Sequence, residues 1–193
     1  MSQLTREKLY NLEDYAICRD QFRAKVMAHK KLRRVPLGDH AALYFEDELT
    51  MQYQVQEMLR IERIFEAEGI QEELDVYNPL IPDGHNWKAT FMIEFPEETE
   101  RKAALAQLIG IENLLYVKVG EFPKVYAIAN EDLDRSSDEK TSSVHFVRFE
   151  LTQEMVAAAQ HGALIQAGTE HEAYRIEASI EGEIRKSLVG DLH

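Results

Sequence analysis

The segment Met51 to Phe65 constrains this chain more than any other, because its apolar residues recur at helical spacing while each apolar face carries a carboxylate. It closes a longer stretch, Val35 to Phe65, that reads as helical. At about 100° per residue, Gln52, Gln56, Arg60 and Arg63 fall on one polar arc, the expected solvent face. Met51, Val55, Met58, Leu59 and Phe65 form an apolar stripe around Glu62, and Tyr53, Ile61 and Ile64 flank a second stripe around Glu57. A carboxylate buried without a partner is costly, so partners are to be sought elsewhere in the chain.

The first helix offers them. Asn11 is a good N-cap with Asp14 three residues on, and Leu12, Tyr15, Ala16, Phe22, Val26 and Met27 share one side at helical spacing. Arg19 and Arg23 lie within that side. Two arginines on one apolar face and two glutamates on another predict that the helices pack with Arg to Glu pairs in the contact, where the planar guanidinium binds a carboxylate through two parallel hydrogen bonds. Two readings follow. One is a structural ion-pair network that fixes helix register. The other is a working site around Arg19, Arg23, Tyr53, Glu57 and Glu62, with the arginines holding an anion or the glutamates joining a histidine around a cation. A working site also requires a pocket near Glu57 and Tyr53. The glutamates point about 140° apart by the same projection, so they form no close dyad unaided.

Charge is unevenly placed. The 193 residues carry a formal charge of −13, yet residues 1–34 hold 9 of the 22 Lys and Arg and only 4 of the 35 Asp and Glu, giving +5 against −18 for the remainder. The net charge disfavours nucleic acid and anionic membranes as partners. The asymmetry favours docking of the amino-terminal helix on its own acidic body or on a twofold-related copy, hence a homodimer. The basic run His29 to Arg34 reads as compensation of a helix dipole, with a nucleic-acid patch as the alternative. Cys18 is the only cysteine, so no internal disulfide and no thiolate metal site forms within one chain. With no long apolar run, a cytoplasmic protein is expected.

Beyond Gly69 the pattern changes. A short helix is expected over Gln71 to Tyr77 and a turn-rich connector over Asn78 to Gly84. From Trp87 to Phe95 apolar and polar residues alternate, the mark of a half-buried strand. A helix follows from Pro96 to Ile109, and strands over Leu114 to Val119 and Lys124 to Ala129 are joined as a hairpin around Gly120 to Pro123. Asn130 to Ser143 reads as a polar loop or as a lid. A strand over Val144 to Leu151, a helix capped by Thr152, strands over Ala163 to Ala167 and Tyr174 to Ser179, and a last helix from Ile180 to Val189 complete the chain. The order predicts an α+β fold: an amino-terminal helical hairpin followed by a mostly antiparallel sheet with packing helices. Residues 1–77 form the helical region and 78–193 the sheet region, in one folded unit.

Familiar catalytic signatures are missing: no Gly-rich dinucleotide turn, phosphate-binding loop, Gly-x-Ser-x-Gly elbow or His-Glu-x-x-His pair. The residues name no cofactor. Of the histidines, His40 and His85 border the Glu57 helix in sequence and are the first choices as metal ligands, although neither has the close spacing of a common zinc motif.

Arg33 to Gly38, Phe45-Glu46, Tyr53 to Ile64 and Val144 to Leu151 resemble the signature stretches of a bacterial domain-of-unknown-function family of the DUF3501 type. The resemblance spans nearly the whole chain. One departure is Glu172, where similar proteins tend to read Asp-His-Pro before Ala-Tyr. Genes of such proteins often lie beside those for rubrerythrin and iron-sulfur proteins, which implies a place in redox or peroxide stress and a redox protein as partner. Two function classes stand: a non-catalytic partner or scaffold, and a metal-dependent or anion-binding enzyme built around the Arg/Glu cluster.

Overall fold

The helix expected after Asn11 forms as α1 (Leu12–Lys31), and the Asn11 side chain accepts a hydrogen bond from the Asp14 N–H at 2.8 Å. In this computed structural model the described residues are 3–131 and 140–193. The loop or lid reading of Asn130 to Ser143 falls largely on 132–139, outside the described residues.

The helical reading of Val35 to Phe65 fails in its first part. Arg34–Pro36 (β1) and Ala41–Phe45 (β2) form an antiparallel hairpin with Val35 opposite Leu43. Ala41, Ala42, Leu43 and Phe45 are all buried, so both faces of β2 are covered and the alternation that marks a strand is erased. Helix resumes as α2 (Glu48–Glu62), opened by a capping box in which Asp47 and Thr50 exchange side-chain to backbone bonds. It is closed at Arg63, in the left-handed region with φ 58°. Next comes α3 (Ala67–Tyr77).

The sheet elements are β3 (Asn86–Ile93), β4 (Leu115–Val119), β5 (Val125–Tyr126), β6 (Ile128–Ala129), β7 (Val144–Glu150), β8 (Ile165–His171) and β9 (Tyr174–Ile180). They build two antiparallel sheets, ordered β1-β2-β3-β7-β6 and β5-β4-β8-β9. Trp87, Ala89, Phe91 and Ile93 are buried, as the alternation along β3 requires. The expected strand Lys124 to Ala129 is divided: β5 pairs with β4, and two residues later β6 pairs with β7. One extended segment thus leaves one sheet and joins the other. Helices α4 (Glu98–Gln107), α5 (Gln153–Gln160, capped by Thr152) and α6 (Gly182–Val189) complete an α+β fold.

One continuous core joins the sheets, with Phe45, Trp87, Phe91 and Phe149 from the first meeting Leu115, Val117 and Ile165 from the second. Trp87 is fully buried and its indole N–H donates to the Leu188 carbonyl at 2.8 Å, which ties α6 to the core. The helices α1 to α3 keep smaller clusters of their own, one around Met51, Val55, Leu59 and Leu74 and one around Tyr15, Phe22 and Val26. The boundary at residue 77 does not separate helix from sheet, because β1 and β2 precede it and pair into the first sheet. No described helix is long and apolar enough to cross a membrane.

Candidate functional site

Helices α1 and α2 run past each other in opposite directions, Arg19 meeting Glu57 while His29 meets Asp47. Arg19 grips Glu57 with both arms of its fork: Nε donates to Oε1 and Nη2 to Oε2, each at 2.8 Å. The Tyr15 hydroxyl donates to Oε1 at 2.7 Å, and Arg60 stands 3.8 Å away. The Arg19 guanidinium holds the Glu57 carboxyl below its ordinary range, against a smaller opposing effect of burial and with help from Tyr15. Burial, then the bond to Glu57, pushes the Tyr15 phenol up. Tyr53 lies next along, its ring 6.2 Å from that of Phe22.

Arg23 and Glu62, the other two members of the expected cluster, are both exposed. Phe22, expected on the same side of α1, is buried in the contact against Tyr53, while Arg23 beside it turns outward. Glu62 is the last residue of α2, and the chain turns away at Arg63 before that face meets α1. The solvent arc is also corrected at Gln56, which is fully buried. Its amide clamps the backbone of Tyr10, accepting from N–H at 2.6 Å and donating to the carbonyl at 3.2 Å. The amino-terminal segment ahead of α1 covers that side of α2, while Ile61 and Phe65 are left exposed.

The two histidines chosen as ligands do not converge. His40 sits in the β1–β2 turn, stacked on Phe95 at 4.2 Å with Nδ1 3.3 Å from the Glu94 carbonyl. His85 is exposed at the other end of β3, whose eight residues span roughly 26 Å. Among the described residues no group of three His, Cys, Asp or Glu side chains is placed to hold a metal ion. Neither of two clefts bordered by α3 reaches Tyr53 or Glu57.

Two buried polar networks escaped the sequence. Arg33, 2% exposed, donates from Nε to the Phe45 carbonyl and from Nη2 to the Glu46 carbonyl, both at 2.9 Å. It also reaches Ser187 at 3.1 Å and forks on Asp191 at 2.5 and 3.3 Å, with Asp47 at 3.5 Å and His29 beyond it. Burial raises the Asp191 carboxyl despite Arg33, whereas at Asp47 the push of burial is outweighed by Arg33, the Thr50 N–H and His29. The second network surrounds His145, fully buried in β7. Its Nδ1 lies 3.1 Å from Asn130 Oδ1 and its Nε2 2.9 Å from Thr141 Oγ1, with Glu112 at 3.9 Å. No local spacing announced either, because Arg33 and Asp191 are far apart in the chain and His145 sits in an ordinary strand alternation.

Two antiparallel sheets around one core, with a pair of helices clamped by Arg19 and Glu57, define a two-sheet α+β protein. The chain belongs to the family described as "Protein of unknown function (DUF3501)", whose model matches residues 3–192. It is similar, at 52% identity and a TM-score of 0.94 over 100% of both chains, to a crystal structure of a novel protein of unknown function from Burkholderia pseudomallei. No curated protein matches it.

Proposed function

We propose that this protein acts by binding, as a non-catalytic cytoplasmic partner or scaffold in redox or peroxide stress, and that it does so as a homodimer. The observation that carries this reading is the closure of the Arg19–Glu57 clamp. Both carboxylate oxygens are engaged by Arg19, one of them also by Tyr15, so the charged centre of the helical region serves to fix α1 on α2. An enzyme built there would need those oxygens open to substrate or metal. The clamp leaves Ile61 and Phe65 more than half exposed at the end of α2. Apolar residues presented on a rigid helical pair suit a protein partner. The link to redox chemistry rests on the gene neighbours of similar proteins.

The test is light scattering together with metal analysis of the protein purified without a histidine tag, followed by sedimentation with a purified rubrerythrin. A dimer that carries no stoichiometric metal and co-sediments with the redox protein supports the reading. One equivalent of metal, lost in Glu57→Gln without loss of fold, would overturn it in favour of the enzyme.

A further inference from the structure

Between α3 and the outer face of the five-stranded sheet lies a cleft of about 750 Å³, within the size range of small-molecule sites. Val76, Tyr77 and Leu80 supply an apolar wall on the helical side. Glu46, at the end of β2, lines the sheet side and is 6% exposed. Its Oε1 accepts from the Thr90 hydroxyl at 2.7 Å. Among the described residues no cationic nitrogen comes within 4.0 Å of its carboxylate.

The two cations that share the cleft are committed elsewhere. Lys88 donates to the carbonyls of Pro79 and Ile81, both at 2.8 Å, and Arg148 forks on Glu131 at 2.9 and 2.8 Å while also meeting Glu150. A carboxylate this deep, with no cation of the described residues in direct contact with it, is costly to keep charged. The cleft is where a counter-charge can arrive. A bare metal ion is a poor fit, since it needs several oxygen or nitrogen donors and no such group converges among the described residues. An anion is a poor fit as well, because Lys88 and Arg148 are occupied.

We propose that this cleft binds a small organic cation, its ammonium or guanidinium group against Glu46 and its apolar body along Val76, Tyr77 and Leu80. The inference stands apart from the partner reading above and needs no dimer.

Calorimetric titration with phenethylammonium chloride tests it, with neutral 2-phenylethanol as the uncharged counterpart. The wild-type protein should bind the ammonium at least ten times more tightly than the alcohol, and Glu46→Gln should lose at least that factor. Val76→Arg places a cation at the mouth of the cleft on a residue that is 64% exposed, so the fold is kept and binding should vanish. Melting curves establish that each variant is folded, and Val76→Arg decides the matter if Glu46→Gln is not. Equal binding by wild type and both variants, or no heat from wild type up to about 10 mM, where only affinities weaker than millimolar escape detection, would overturn the proposal. Tighter binding of a lysine-containing peptide than of phenethylammonium would overturn the small-molecule assignment.

Discussion

Glu57 and Glu62 stand five residues apart on α2, and only the first is held. Glu57 lies where α1 passes, and Arg19 and Tyr15 take its oxygens. Glu62 lies where the helix ends and is exposed. Glu57→Gln should therefore lower the melting midpoint by about 2–4 °C, while Glu62→Ala should leave stability within about 0.5 kcal/mol of wild type. The pH dependence has a defined sign. The Glu57 carboxyl titrates below its ordinary value near 4.5 in the fold, so its contribution is complete above that value and fades as pH falls through the lowered one. Acid unfolding of wild type and Glu57→Gln should converge at low pH. A difference that persists there would show that Arg19 does not depend on the Glu57 charge. Arg33 carries more, because it is buried with Asp47 and Asp191 facing it. Arg33→Met should cost about 3–5 kcal/mol on urea unfolding, and a cost under about 1 kcal/mol would mean that the two carboxylates tolerate each other without it.

At the scale of elements, the legible pieces were those whose pattern is local. The cap at Asn11, the alternation of β3, the cap at Thr152 and β9 all stand close to where the residues put them, whereas β8 runs on past the expected end at Ala167 to His171. The hairpin β1–β2 was hidden, since a strand covered on both faces shows an apolar run rather than alternation. The division of Lys124 to Ala129 between two sheets was hidden as well, because pairing partners are chosen in three dimensions. Crowding at Gly168 is another such feature. It lies in β8 between Tyr116 of β4 and Glu177 of β9, and an added Cβ would sit 2.7 Å from the Tyr116 hydroxyl and nearer still to the Ile176 carbonyl. Gly168→Ala should cost roughly 1–3 kcal/mol through forced displacement of β9, measured by urea denaturation. An unchanged midpoint would mean that β9 shifts without penalty.

For the molecule as a whole, the contrast between a basic amino-terminal segment at +5 and an acidic remainder at −18 bears on assembly. If that contrast joins two copies, light scattering at low ionic strength should give a molar mass near twice 22.3 kDa, and the dimer should weaken as salt shortens the screening length to about 3 Å at 1 M. A monomer at every salt concentration would remove the homodimer from the proposed function. The sequence by itself determined the α+β class, the existence of α1 and α2 and the expectation that an arginine of the first, Arg19 or Arg23, meets a glutamate of the second, Glu57 or Glu62. Those follow from periodicity and from the cost of an unpaired charge, both of which act within a helix or between two neighbours. Only the tertiary structure decided that Arg23 and Glu62 face water, that His40 and His85 lie apart, that Arg33 closes on Asp191, and that Glu46 lines a cleft with no cation of the described residues in contact with its carboxylate. Each of these depends on which distant segment covers a given face, and no local spacing encodes that.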